Sequence, residues 1–294
     1  NLAIFAANTS WWQARLEDDG RTLVCHRDGS ADPVADPRRT TVEWSSAPVL
    51  RPENAMTGTS FRRGAGNWLD YDQMARERYR VRFADHWVFA GTGLRDGDDF
   101  AAGALGYETD AADVEERDGV PYATGRDGTP GTFTVLATAD LRHWHRYGQG
   151  GMATMGTMRL GAGTVFNAAT INWGRALGDP VVDRITRNVL DRLAGPADAT
   201  RWDDAGPAES AVSLVACAGL LFSTDRGGRL RYRPAGPQNL RWRTADAAGQ
   251  PIACLAAPRE TTGGAPLGLY GADRGGRLWY RDATAEPGDW REAG

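Results

Sequence analysis

An α/β core built on a parallel sheet, carrying large β-rich insertions and followed by an all-β propeller-like module, is the fold class this sequence predicts. Three observations lead to it. The apolar run Leu2-Ala3-Ile4-Phe5-Ala6-Ala7 ends in Asn8-Thr9-Ser10, as a strand covered on both faces does. An amphipathic pattern between Asp179 and Gly195 marks one clear helix. The stretch Thr224 to Arg233 returns as Ala272 to Arg281, at an offset of 48 residues.

The opening strand carries no initiator methionine, so the chain is expected to be a fragment cut just before Asn1. In open α/β sheets ligands gather at the carboxyl ends of strands. Asn8 stands there, and its carboxamide offers donors and an acceptor to a carbonyl substrate; capping a turn is its plainer use. Further along, Gln13 to Glu17 and Arg21 to Cys25 flank Asp18-Asp19-Gly20, and Met158 to Asn167 turns at Gly161-Ala162-Gly163, so both read as hairpins. Asp85 to Leu94 reads as a strand entering a Gly-rich turn. Asp110 to Gly131, acidic and aperiodic, reads as a surface loop. The helix has Asp179 as N-cap, Pro180 at its first position, an apolar stripe of Val181, Val182, Ile185, Val189 and Leu193, and a stop at Gly195-Pro196. Two domains follow from this, residues 1–196 and 197–294, joined by a linker from Gly195 to Gly206.

In the second domain, Trp242 and Trp290 keep the 48-residue offset, and Trp202 reads as the closing tryptophan of a preceding unit. Short strands joined by Gly-Gly turns at this period are expected of propeller blades. Cys217 and Cys254 take equivalent places and are expected to be buried; the loop Pro258 to Pro266 absorbs the difference in spacing. Arg-Gly-Gly at both turns is turn chemistry rather than an RNA-binding signal. With only two blades visible, a homo-oligomer is expected. The region resembles tectonin-like β-propeller repeats, some of which are sugar-binding lectins. Trp279, Tyr280 and Tyr232 are then candidates for stacking on a glycan, although Trp279 is replaced by Arg231 in the other copy.

Composition narrows the function classes. Hydrophobic content of 41% with 24% charged residues fits an ordinary globular protein. A net charge of −4, with all 34 basic residues arginine and scattered, removes the footprint of a nucleic-acid partner. No apolar run approaches the roughly 20 residues that span a bilayer, so no membrane partner is expected. Three distant cysteines exclude a disulfide framework and make a cytoplasmic location the default, while the start at Asn1 leaves a signal peptide open.

Glu108, directly after Gly106-Tyr107 at a strand end, is expected to have a raised pKa and to act as general acid or base. His86 is a further candidate for proton transfer or metal binding, a strand histidine with satisfied partners being the plainer reading. His143 and His145 share a strand face and read as a solvated pair. Cys25-His26 lacks the glycines of a nucleophile elbow. Gly64-Ala65-Gly66 and Gly91-Thr92-Gly93 lack the lysine of a phosphate loop. Met152, Met155 and Met158 recur every three residues in a segment too rich in Gly and Thr for a helix, and read as core or turn residues.

The opening run with Trp11-Trp12, Arg51 to Gly58, His86 to Gly93, Gly106-Tyr107-Glu108, and Thr164 to Ala168 with Trp173 together resemble the C-terminal part of the N,N-dimethylformamidase large-subunit family, over about Asn1 to Leu193. The resemblance implies a glutamine-amidotransferase-like, flavodoxin-like parallel sheet. It also implies hydrolysis of the C–N bond of a small amide, and iron held by two tyrosines and a glutamate upstream of Asn1. Residue by residue it implies that Asn8 polarises the amide carbonyl and that Glu108 is the non-ligand carboxylate near the metal. Without the iron-binding part, these 294 residues are expected to show little or no amidase activity.

Overall fold

The computed structural model describes residues 1–117, 119–144, 150–195, 211–217, 220–234, 242–245, 251–257, 268–282 and 290–293. The chain divides into two compact units. The first comprises Asn1–Asp113, Asp127–Pro130 and Leu136–Ala199; the second comprises Val114–Arg126, Gly131–Val135 and Thr200–Gly294.

In the first unit a six-stranded sheet runs in the order Leu2–Ile4, Gly163–Asn167, Met152–Leu160, Thr134–Asp140, Tyr79–Val81, Asp99–Phe100. The opening strand pairs parallel to Gly163–Asn167, with Leu2 opposite Val165 and Ile4 opposite Asn167. Three other pairings in the sheet are antiparallel. The predicted α/β, flavodoxin-like class is therefore wrong: the fold is mostly β, made of several small sheets. Connection length explains the difference. Leu160 sits opposite Gly163 across a tight turn, whereas a parallel neighbour needs a crossover of about a dozen residues or more, usually a helix. The apolar opening run also misleads, because only three of its residues form a strand, and that strand lies at the sheet edge with Leu2 exposed.

The one long helix among the described residues, Pro180–Leu193, forms where its sequence predicts. The Asp179 carboxylate accepts from the backbone N–H groups of Val181 and Val182, at 2.7 and 3.4 Å, satisfying donors the first turn leaves open. Val182, Ile185 and Val189 are fully buried in a core with Tyr79, Leu136, Met155, Phe166 and Trp173. Each such aliphatic side chain contributes roughly 1.5–3 kcal/mol by leaving water. Both predicted hairpins are present, Arg15 lying opposite Val24 and Met158 opposite Val165. The Met152–Leu160 strand buries Met155 and Met158.

Two local expectations need correction. Residues 110–131 are not a surface loop: Glu108–Ala111 is a strand that buries Asp110 completely, and Val114–Arg117 pairs with Val120–Ala123 in the second unit. Asp85 to Leu94 holds a 3-10 turn, Trp87–Phe89, rather than a strand. His86 is its N-cap, its Nδ1 accepting from the Val88 N–H at 3.3 Å.

Among its described residues the second unit contains two four-stranded antiparallel sheets. They run Ser213–Cys217, Leu220–Thr224, Leu230–Pro234, Arg243–Thr244 and Ile252–Ala256, Gly268–Asp273, Leu278–Asp282, Arg291–Glu292. The 48-residue repeat is also a repeat of register, since Tyr232 lies opposite Arg243 and Tyr280 opposite Arg291. Equivalent aspartates fix the turns: Asp225 Oδ1 accepts from the N–H groups of Gly227 and Arg229, and Asp273 Oδ1 from those of Gly275 and Arg277. Gly228 and Gly276, at φ +79° and +81°, occupy the left-handed region that glycine adopts without strain. Cys217 is buried as expected. Cys254 is exposed: it lies opposite Ala272, the place that Ser213 holds opposite Thr224 in the first sheet, so the two cysteines are not equivalent in register. Trp202 and the loop 258–266 lie outside the described residues.

The strand Ser60–Gly66 approaches Glu108–Ala111 so closely that a Cβ on Gly64 would stand 1.7 Å from the Thr109 carbonyl oxygen. Gly64-Ala65-Gly66 thus serves backbone contact. Gly64→Ala is expected to lower unfolding stability by roughly 1–3 kcal/mol or more in urea denaturation, with Gly174→Ala, which meets nothing within 4 Å among the described residues, as the benign control.

Candidate functional site

Three segments of the first unit meet where the opening strand ends. The Ala168 N–H donates to the Ile4 carbonyl at 2.8 Å, the Ile171 N–H to the Glu108 carbonyl at 3.1 Å, and the Asp110 N–H to the Ala169 carbonyl at 3.0 Å. These bonds place the strand Glu108–Ala111 beside the turn that follows Ile4. Side chains two apart on a strand share a face, so Glu108 and Asp110 point the same way.

The turn itself is held by a carboxylate. Asn8 has φ +52°, a left-handed conformation that Asn tolerates better than most residues. Its backbone N–H donates to Asp110 Oδ1 at 2.8 Å, and the Thr9 N–H also bonds that carboxylate. The Asn8 side chain then reaches Glu108, Nδ2 donating to Oε1 at 3.3 Å. Asn8 is exposed and Glu108 half-buried, while Asp110 has no accessible surface. Sequence-predicted Asn8 and Glu108 are therefore brought together, with Asp110 beneath them.

Asp110 is the electrostatically perturbed member. Burial pushes its pKa up to about 7 against two backbone hydrogen bonds that lower it, and the charges of Glu53 and Glu108 raise it further. Glu53 is itself buried; it accepts a short hydrogen bond from the Ser60 hydroxyl and lies 3.5 Å from Arg62 Nε. Asp110 Oδ2, Glu53 Oε2 and Thr9 Oγ1 are buried without a hydrogen-bond partner among the described residues. Tyr79 donates its hydroxyl to the Ala168 carbonyl at 2.7 Å, and burial together with the Asp110 charge raises its pKa.

Neither Asp110 nor Glu53 was singled out in the sequence. The Glu-Thr-Asp spacing on a strand was the available signal for Asp110; Glu53 had none beyond its place in Arg51-Pro52-Glu53-Asn54. His86 serves as the helical cap described above, with Nε2 3.5 Å from the Thr157 hydroxyl. His143 pairs with Glu77 at 2.6 Å, and His145 lies outside the described residues. Cys25 is exposed. In the second unit Trp279 and Tyr232 are buried, the Trp279 indole N–H donating to Asp273 at 3.2 Å. Tyr280 is half-buried and stands 5.2 Å from the Tyr270 ring.

Among the described residues no three His, Cys, Asp or Glu side chains are grouped to hold a metal ion. No described helix is long and apolar enough to cross a membrane.

A buried acid supporting an exposed Asn–Glu pair defines a candidate acid–base site on a β-rich scaffold. The family profile described as N,N-dimethylformamidase beta subunit-like, C-terminal, matches residues 1–187, and the chain belongs to that family. Comparisons with curated proteins and with solved structures found no match. The match ends before the repeats, and none of the comparisons supports the tectonin assignment.

The pH dependence of stability follows from Asp110. Its folded pKa of about 7 lies above the unfolded value near 3.9, so the folded state holds the extra proton between these limits. The stability contribution is fully present below about pH 3.9 and is lost as pH rises through 7. Asp110→Asn keeps an oxygen to accept from Asn8 and removes the charge. We expect it to flatten this slope and to raise Tm at pH 8, an effect on the order of a few kcal/mol, read by thermal unfolding across pH 4–8.

Proposed function

We propose that this chain supplies the acid–base and carbonyl-binding half of a site that hydrolyses the C–N bond of a small amide. The observation that carries the reading is the pairing of the Asn8 carboxamide with the Glu108 carboxylate, 3.3 Å apart, at a strand end in a member of a dimethylformamidase-like family. Asn8 Nδ2–H would turn from Glu108 to the substrate carbonyl oxygen, where a fixed donor stabilises the charge that develops as the carbonyl carbon becomes tetrahedral. Glu108, freed of that bond, takes a proton from the attacking water and returns it to the departing amine nitrogen. Asp110 does not touch substrate. It holds the Asn8 and Thr9 amides and so fixes the angle at which the carboxamide leaves the strand. No step is assigned to iron.

The test is amine release from a panel of small formamides by the intact protein. Glu108→Gln is expected to lower kcat by about 10²- to 10⁴-fold, the contribution typical of a general acid–base group. Asn8→Ala is expected to lower it by roughly 10²- to 10³-fold, as loss of an oxyanion donor does. Full activity in Glu108→Gln of the full-length protein would remove that residue from the mechanism, and no amine release from any amide by the unmodified full-length protein would remove the reading.

A further inference from the structure

The two repeats of the second unit show the same residues in two different circumstances. Leu230, in the first repeat, is 1% exposed and belongs to an apolar cluster with Leu269, Leu255 and Trp290 of the second. Its equivalent Leu278 is 57% exposed. A Cβ on Gly228 would meet Pro251, the residue leading into the second sheet, at 2.7 Å; the same atom on Gly276 would meet nothing within 4 Å among the described residues. The Arg226 carbonyl accepts from the Arg274 guanidinium at 2.6 Å, linking the turn of the first repeat to the turn of the second. One face of the first repeat is therefore a socket, and the second repeat fills it.

The complementary face shows the reverse asymmetry. Ile252 opens the second sheet opposite Asp273 and is completely buried. At the matching place in the first sheet stands Val212, whose N–H bonds the Thr224 carbonyl; it is 52% exposed, and Leu214 beside it is 54% exposed. The Ile252 N–H donates to the Gly228 carbonyl, and Leu255, opposite Gly271, packs on the apolar cluster of the first repeat; Leu214, opposite Ser223 at the matching place, is its uncovered counterpart. Among the described residues the repeats show a filled plug-and-socket joint, an open socket around Gly276 and Leu278, and an open plug at Val212 and Leu214.

We propose that a second copy of this chain occupies these open faces, head to tail, the plug around Val212 and Leu214 of one copy entering the socket around Gly276 and Leu278 of another. The occupant follows from the joint already present inside the chain, which displays the apolar partner, the backbone approach at the glycine, and the arginine-to-carbonyl bond between successive turns. In the intermolecular joint Arg226 of one copy donates to the Arg274 carbonyl of the next. Such an interface is heterologous, so it closes into a ring if the rotation per repeat permits and grows into an open chain if it does not.

Sedimentation velocity of the whole chain across the micromolar range tests this. Self-association is expected, and Leu278→Asp and Val212→Asp should each weaken it by roughly tenfold or more, as a charge at the centre of an apolar contact does. Both positions are exposed within one chain, so circular dichroism and Tm should stay those of the parent. Heterologous pairing makes a sharper demand: a Leu278→Asp chain keeps an intact plug and a Val212→Asp chain an intact socket, so mixing the two should restore a 1:1 complex that neither forms alone. A strictly monomeric parent, association indifferent to both substitutions, or a mixture that fails to pair while the parent associates would each overturn the proposal.

Discussion

One carboxylate sets the shape of the candidate site. Asp110 accepts the backbone N–H of Asn8, a residue that stands in the left-handed region in the turn after the opening strand. Successive backbone N–H groups aimed at one anion form a concavity that favours negative charge, and here the anion is supplied by the protein itself. Burial opposes that charge, and Glu53 and Glu108 add to the opposition. The two demands are reconciled by a carboxyl group whose proton is held loosely around neutrality.

The rest of the first unit keeps this arrangement in place. Gly64 lets the Ser60–Gly66 strand approach the Thr109 carbonyl, and the segment 167–172 locks the other side of the same strand through Asp110 and Glu108 backbone bonds. Tyr79 ties the site to the core by bonding the Ala168 carbonyl, one residue from the bond to Asp110. The opening strand brings Asn8 to the cluster, but its parallel neighbour is a single strand and no crossover helices are needed. Asn8 therefore sits at the carboxyl end of a strand, where a sequence argument put it, inside a different architecture.

What the sequence made legible depended on whether the determining forces were local. Asp179, Pro180 and the Val182–Ile185–Val189 stripe specify a helix by capping and periodicity, and the helix is there within a residue. Asp18-Asp19-Gly20 and Gly161-Ala162 specify hairpins through backbone turn preferences. Sheet order is not local: Leu2 to Ala7 carries the hydrophobicity of a buried strand without saying how many neighbours it will have. The same limit hid Asp110, which lies in a stretch whose acidity and glycines suggest solvent, although strand periodicity places it on one face with Glu108. Cys254 shares a residue type with Cys217 but not its register, since it takes the place of Ser213, and pairing register is not a local property. In the repeats, Asp225 and Asp273 fix the turns locally, while the fate of Leu230 and Leu278 depends on what each sheet stands against.

The central claim is that Asp110 is a buried acid poised near neutrality and holding the Asn8 turn. It is tested most directly by following the Asp110 side-chain carboxyl carbon by NMR in selectively labelled protein across pH 4–9. The account predicts a titration midpoint of about 7, with the Asn8 and Thr9 amide resonances moving over the same range. A midpoint at or below the ordinary aspartate value near 3.9, with amides unmoved through neutrality, would contradict it.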